Sequence, residues 1–213
     1  MDEPITGMLS AHEARVLGCL MEKQMTTPDY YPLTLKALTA ACNQKSSRMP
    51  VMNLSEGETG GVVSGLRSQG LVTARMDGRA DRFEHHLSRK LGLSTKERAV
   101  LCVLMLRAAL TVNEIRINTG RMVTFDSSDE LQAMLDNLTG RDEPLLVRIP
   151  RAAGQREDRY AHLLCGVPEF DAAAPASAGA SKASDRIEAL EQEVADLKAD
   201  LQRLWQLTGL PKE

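Results

Sequence analysis

The chain has 213 residues, of which 43% are apolar, 26% are charged and only 3% are aromatic, and its formal net charge is −3. This balance is typical of a soluble globular protein and excludes a polycation. Because aromatic residues are so few, the core must be built from Leu, Val, Met and Ala, which favours helices over a large β-sandwich.

The sequence shows no sign of export or of a membrane span. Its N-terminus is acidic and lacks an apolar segment, and no run of about 18 apolar residues follows. The four cysteines are scattered without a C-x-x-C motif: Cys19, Cys42, Cys102 and Cys165. We therefore expect reduced thiols in a cytoplasmic protein, with no membrane partner.

Two segments of the chain resemble each other at both ends. Residues 9–17 read LSAHEARVL, and residues 93–101 read LSTKERAVL. Residues 79–87 read RADRFEHHL, and residues 156–164 read REDRYAHLL. Two pairs of similar nonamers in the same order predict a duplicated unit.

The duplication predicts two domains, residues 1–90 and residues 91–166. The first carries 11 basic and 10 acidic side chains and the second carries 10 of each, so both are close to neutral. The remaining residues, 167–213, carry 5 basic and 9 acidic side chains. The acidity of the chain therefore lies in its tail.

Each unit begins with a predicted helix. Ser10-x-x-Glu13 and Ser94-x-x-Glu97 are capping boxes, in which the Ser oxygen accepts from a free backbone N–H and the Glu reaches back. Apolar residues follow both boxes at helical spacing. These are Val16, Leu17, Leu20 and Met21, and then Val100, Leu101, Leu104 and Met105.

A second helix is predicted in each unit, at residues 33–42 and 112–119. The first unit is seven residues longer than the second between its two nonamers. The loop at residues 26–32 accommodates them, because its two prolines prevent a continuing helix.

A third helix follows, opened by Ser55-x-x-Glu58 in the first unit and by Ser127 or Ser128 in the second. Each glycine inside a helix costs about 1 kcal/mol relative to Ala. We therefore expect the first unit's third helix to be frayed or shortened unless packing holds it, because it contains Gly57, Gly60, Gly61 and Gly65.

Each unit ends in a predicted β-hairpin, whose outgoing strand lies at residues 71–74 or 145–149 and whose return strand lies in the second nonamer. A period of two places three side chains of each return strand on one face. They are Phe83, His85 and Leu87, and Tyr160, His162 and Leu164. We expect His85 and His162 to be buried and to anchor each hairpin to its own helices.

Three helices followed by a β-hairpin is the element order of a winged helix-turn-helix. The predicted fold is therefore mainly α with small β wings, an α+β class. It comprises two tandem winged helix-turn-helix domains and a C-terminal amphipathic helix.

The tail is predicted to be a linker at residues 167–184 and a coiled-coil helix at residues 185–207. Apolar residues fall at the a and d positions of three heptads, which favours a parallel homodimer. The candidate dimerisation residues are Ile187, Leu190, Val194, Leu197, Leu201 and Leu204. The alternative is a single amphipathic helix that folds back onto the body of the protein.

Several motifs of the chain resemble the YceH family of bacterial proteins. They are Thr26-Thr27-Pro28-Asp29, Ala41-Cys42-Asn43-Gln44-Lys45-Ser46, Pro50-Val51-Met52, Glu97, Leu106-Arg107, Glu114-Ile115-Arg116, Pro150-Arg151 and Tyr160-Ala161-His162-Leu163. The resemblance covers most of residues 9–166. It implies a tandem winged-helix fold and a cytoplasmic bacterial setting, and it supplies no activity.

Double-stranded DNA is the first predicted partner, because the wings are rich in arginine and wings can place Arg on phosphate or in a minor groove. The candidate DNA-binding residues are Lys45, Arg48, Arg75, Arg79, Arg148, Arg151 and Arg156. The third helices begin with acidic residues instead, which suit the helix dipole but would face phosphates. Alternatively, the arginines are solvated or pair with Asp81, Glu157 and Asp158.

Two further classes of function are weighed against DNA binding. The near-neutral domains and acidic third helices keep open a scaffold that holds a protein partner. An enzyme is not expected, because the sequence has no P-loop, nucleophile elbow, G-x-G-x-x-G or H-E-x-x-H motif. We likewise expect no cofactor and no metal, since no Cys or carboxylate lies at ligand spacing around His85, His86 and His162.

Overall fold

A computed structural model of the protein describes residues 8–77, 80–152 and 154–167. The elements form an α+β fold, in chain order α1 (Ala11–Thr26), a 3₁₀ turn (Pro28–Tyr30), β1 (Leu33–Thr34), α2 (Leu35–Cys42), α3 (Glu56–Ser68), β2 (Val72–Asp77), β3 (Ala80–His85), α4 (Leu87–Lys90), α5 (Thr95–Leu106), α6 (Val112–Thr119), α7 (Ser128–Thr139), β4 (Leu146–Ile149) and β5 (Arg159–His162).

The predicted capping boxes are present. The backbone N–H groups of Glu13 and Glu97 donate to the hydroxyls of Ser10 and Ser94, at 3.2 and 3.3 Å. Each Glu side chain accepts in return from the backbone of its cap residue. At the start of α7 the cap is Ser127. Local sequence therefore fixes where these helices begin.

Helix α3 is neither frayed nor shortened by its glycines, because packing holds it. The helix runs unbroken over Glu56–Ser68 and is closed at its start by the Ser55–Glu58 capping box. On its inner side Thr59, Val63 and Leu66 are at most 2% exposed. Burial of Val63 and Leu66 contributes about 1.5–3 kcal/mol each, which offsets much of the cost of the glycines.

The first hairpin belongs to a three-stranded antiparallel sheet in the order β1-β3-β2. Leu33 pairs with Phe83 and Thr34 with Arg82, so the second helix begins at Leu35 rather than at residue 33 as predicted. The return strand also ends earlier than predicted. Leu87 starts the short helix α4 instead of continuing the strand, although it is fully buried.

The second hairpin repeats this arrangement with fewer paired residues. β4 pairs antiparallel with β5, with Leu146 opposite His162. Leu110 forms an antiparallel bridge to Tyr160, and two backbone hydrogen bonds of 3.0 and 2.8 Å join the pair. The bridge occupies the place that β1 has beside Phe83, so the duplication extends to the edge of the sheet.

The two duplicated halves share one hydrophobic core, because α1 packs directly against α5. The contact is close at Gly18, where an added Cβ would lie 2.9 Å from Leu106 Cδ2. The Cys102 thiol donates to the Gly18 carbonyl at 3.3 Å. The described residues, 8–77, 80–152 and 154–167, accordingly belong to one compact unit.

A buried arginine, Arg15, holds the loop between α2 and α3 in place. Arg15 of α1 donates to the carbonyls of Cys42 and Pro50, at 3.0 and 2.6 Å. A backbone hydrogen bond of 2.9 Å from Met49 to Leu106 also ties this loop to the second half. The loop therefore has a fixed position between the two halves.

Candidate nucleic-acid interface

The predicted wing arginines of the second half meet around one cleft. This cleft of about 680 Å³ lies between the first turns of α6 and α7 and the β4–β5 hairpin. Arg148, Arg151 and Arg156 line it from the hairpin side, and Arg116 lines it from α6. We refer to the cavity lined by these four arginines as the arginine cleft. Arg116 was not among the sequence candidates, although it lies in the quoted Glu114-Ile115-Arg116 motif.

Asp158 fixes the hairpin side of the cleft. Its carboxylate accepts from Arg148 Nε at 2.7 Å and from the backbone N–H of Arg151 at 2.9 Å. The amide of Arg151 and the guanidinium of Arg148 together lower the pKa of Asp158. The pairing predicted as an alternative therefore occurs for Arg148, whose side chain nevertheless stays 58% exposed.

The other two hairpin arginines present free guanidinium edges. Arg151 and Arg156 are exposed, and Arg151 donates through Nη1 to the backbone oxygen of Arg156 at 3.3 Å. A guanidinium carries five N–H donors, so one such bond leaves most of them available. Asp129 and Glu157 also line the cleft and reduce its positive charge.

Part of the acidic start of α7 is neutralised from within the fold. Lys96 of α5 forms a hydrogen bond with Glu130 and lies 3.8 Å from Asp126. This pairing raises the pKa of Lys96 and lowers that of Glu130. Asp129 is thus the acid of the first turn of α7 that faces the arginine cleft.

The first hairpin offers less positive charge. Arg75 is 70% exposed and pairs with Glu84 of the neighbouring strand at 3.0 Å. Arg82 donates to the Pro32 carbonyl at 3.0 Å and so attaches the hairpin to the loop before β1. Arg79 lies outside the described residues.

Arg48 is removed from the candidate DNA contacts by its burial. Its side chain is 0% exposed and its guanidinium contacts Glu22 of α1 at 2.6 and 3.2 Å. It also donates to the backbone carbonyls of Ala41 and Ser47, at 3.0 and 2.9 Å. All of its donating groups point into the protein, so Arg48 is a structural residue. Lys45, three residues earlier, is exposed.

Comparison with known proteins places the chain in a family. Residues 9–155 match a family model described as a protein of unknown function, DUF480. The chain belongs to the DUF480 family. It is 45% identical to a UPF0502 protein of Vibrio parahaemolyticus over 203 residues, covering 92% of this chain and 94% of that protein. A UPF0502 protein of Mesorhizobium japonicum is 47% identical over 201 residues, covering 92% and 96%.

A third relative extends the similarity over almost the whole length of both proteins. The UPF0502 protein of Cellvibrio japonicus is 42% identical over 212 residues, and the match covers 96% of this DUF480 chain and 97% of that relative's chain. Together these matches confirm the family resemblance predicted from the sequence motifs.

His85 and His162 occupy equivalent positions in the return strands of the two hairpins of this DUF480 protein. His85 is 6% exposed, and its Nε2 lies 3.0 Å from Gln24 Oε1 on α1. Burial lowers the pKa of His85 to about 4, with help from the nearby charge of Arg98, and burial alone lowers the pKa of His162 to about 4. Both rings are therefore neutral at pH 7, and His85 is buried as predicted and joins its hairpin to α1. His162 is only partly buried, so the prediction that both histidines are buried is wrong for His162.

Residues 8–77, 80–152 and 154–167 contain no group of three His, Cys, Asp or Glu residues placed to hold a metal ion. None of their helices is both long and apolar enough to cross a membrane. The predicted coiled-coil seam from Ile187 to Leu204 lies outside the described residues, and dimerisation remains a prediction.

Proposed function

We propose that this DUF480 protein is a cytoplasmic, non-enzymatic DNA-binding protein, acting as a transcriptional regulator. In this proposal each half is a winged helix-turn-helix, with α7 as the third helix and the β4–β5 hairpin as the wing of the second half. The contact with duplex DNA is made mainly by the arginine cleft.

The observation that carries the proposal is the convergence of four arginines on one open cleft between a helix pair and a hairpin. Arginine is suited to phosphate because its planar guanidinium donates two parallel hydrogen bonds to phosphate oxygens. Asp158 holds the Arg148 side chain in one orientation. A fixed side chain loses less conformational entropy on binding than a free one.

We predict that the affinity for duplex DNA depends little on base sequence and strongly on salt concentration. The cleft combines four arginines with Asp129, Glu157 and Asp158, so its net charge is small. Contacts with phosphates position a protein without reading bases. Any stronger preference for sequence must come from side chains of α7 in the major groove.

A pair of double variants tests the proposal. Arg151→Ala with Arg156→Ala removes two exposed charges from the cleft, while Lys36→Ala with Arg67→Ala removes two exposed charges from the first half. Fluorescence anisotropy with a labelled random-sequence duplex should show a loss of affinity of about tenfold or more, or about 1.4 kcal/mol, for the cleft variant alone. Equal affinities for the two variants would contradict the proposal.

The second candidate function is a scaffold for a protein partner, favoured by the surface of α3. The first turn of α3 exposes Glu56 and Glu58, which repel phosphate. The first-half hairpin adds an Arg75 that is already paired with Glu84. A scaffold predicts no anisotropy change with any duplex at low salt, which distinguishes it from the DNA-binding proposal.

A further inference from the structure

A second cavity lies where the two halves of the unit meet. It has a volume of about 470 Å³. Its lining comes from α1, from the loop after α2 and from the turn after α6. We refer to it as the junction groove, lined by Glu22, Lys23, Thr26, Gln44, Lys45, Ser46, Ser47 and Arg121.

The junction groove has an excess of positive charge. Lys23, Lys45 and Arg121 line it, and their side chains reach solvent, with Arg121 74% exposed. Glu22 is the one acidic residue in its lining. It is shared, since Lys23 Nζ lies 3.7 Å and Arg121 Nη2 lies 4.0 Å from its carboxylate.

Glu22 cannot neutralise these cations, because Arg48 already holds it. The Arg48 guanidinium contacts both Glu22 oxygens from beneath the groove. Burial would raise the pKa of Glu22, but the hydrogen bonds and charge of Arg48 outweigh it and lower that pKa. The pair is formally neutral, so Lys23, Lys45 and Arg121 leave an uncompensated charge of about three in the groove.

A further arginine adds to the crowding of cations. Burial lowers the pKa of Arg107, and the neighbouring positive charges of Arg48 and Arg121 lower it further. Like charges in proximity repel each other, so an anion bound among them relieves that repulsion. The acids Glu22 and Glu114 act in the opposite direction and raise the pKa of Arg107, but the pKa stays lowered.

The walls of the groove also carry neutral donors in a fixed loop. Ser46 and Ser47 contribute hydroxyl groups, and Ser47 adopts a left-handed backbone conformation with φ of 60°. Arg48 holds the Ser47 carbonyl at 2.9 Å, and Met49 is tied to Leu106. The backbone that carries these hydroxyls is therefore in place before any ligand arrives, which reduces the entropy lost on binding.

From this charge and geometry we infer that the junction groove binds a phosphate group. Three cations around one cavity favour a compact divalent anion over a single carboxylate, and hydroxyl groups add donors for a tetrahedral oxyanion. The groove has room for a phosphate with attached groups. The phosphate comes either from a nucleic-acid backbone or from a free phosphorylated molecule, and the site does not depend on the arginine cleft.

Calorimetric titration of the full chain with pyrophosphate tests the site. Lys45→Ala and Arg121→Ala each remove an exposed cation from the groove, and Lys36→Ala and Arg67→Ala are matched controls elsewhere on the surface. We expect the groove variants to bind pyrophosphate about tenfold more weakly than wild type and the controls to bind within about twofold. Absence of binding to wild type, or equal weakening in all four variants, would overturn the inference.

Two further measurements identify the source of the phosphate. If the groove takes a DNA phosphate, pyrophosphate displaces a labelled duplex and Lys45→Ala lowers duplex affinity. If it takes a free phosphorylated molecule, Lys45→Ala weakens pyrophosphate binding by the same factor of about ten and leaves duplex affinity unchanged. Either result supports the phosphate site. Failure of DNA binding leaves the titration interpretable, because pyrophosphate binding needs no duplex.

Discussion

Replacing Arg48 by Ala tests the assignment of this residue to the interior. In the folded protein the Arg48 guanidinium donates to both carboxylate oxygens of Glu22 and to the carbonyls of Ala41 and Ser47. Arg48→Ala leaves the Glu22 carboxylate, whose side chain is 7% exposed, without its main partner.

The expected loss of stability is large. Removing one member of a buried ion pair costs about 3–5 kcal/mol, because the remaining charge stays buried without its hydrogen-bonding partner. A domain is stable by only about 5–15 kcal/mol, so this change approaches the whole margin. Lys45→Ala, three residues away and exposed, is expected to change stability by less than about 0.5 kcal/mol.

Urea unfolding followed by circular dichroism measures both variants. The double variant Glu22→Met with Arg48→Met removes the charges together, and we expect it to recover most of the stability lost in Arg48→Ala. A loss of less than about 1 kcal/mol in Arg48→Ala would refute the reasoning. So would a double variant as unstable as the single one.

Three further predictions concern packing, pH and assembly. Gly61→Ala has open space around the new Cβ and should stabilise the protein by about 0.5–1 kcal/mol in urea melts. Gly18→Ala should destabilise it by about 1–2 kcal/mol, because the new Cβ would lie 2.9 Å from Leu106. Stabilisation by both variants would contradict the close contact between α1 and α5. His85 has a folded pKa of about 4, below its ordinary 6.5, so its contribution of up to about 3 kcal/mol is present above pH 6.5 and is lost as the pH falls toward 4. The variant His85→Asn should show a shallower fall in unfolding free energy over that range, and an unchanged pH profile would argue against burial of the ring. Deleting residues 181–213 should convert a concentration-dependent dimer into monomers in analytical ultracentrifugation, and a dimer that survives the deletion would exclude the coiled coil.

Features encoded within a few residues could be predicted from the sequence. The capping boxes at Ser10 and Ser94 fixed two helix starts because cap and partner lie three residues apart. The burial of His85 followed from the strand period and the repeat.

Features that depend on distant contacts could not be predicted. The sequence indicated a surface cation at Arg48 because its partner Glu22 lies 26 residues away, on helix α1. The intact α3 depends on packing of Val63 and Leu66 against other elements, which glycine propensity does not report. Arg116 joined the arginine cleft only once α6 and the hairpin were placed side by side.

Binding of the full chain to a random-sequence duplex at increasing salt concentration tests the DNA-binding proposal most directly. If the four arginines of the cleft neutralise phosphates, the slope of log K against log salt should be about −3.6, from about −0.9 for each phosphate contact. The slope should become about two units shallower when Arg151 and Arg156 are replaced by Ala. No binding at the lowest salt concentration, or binding whose affinity does not change with salt, would contradict the proposal.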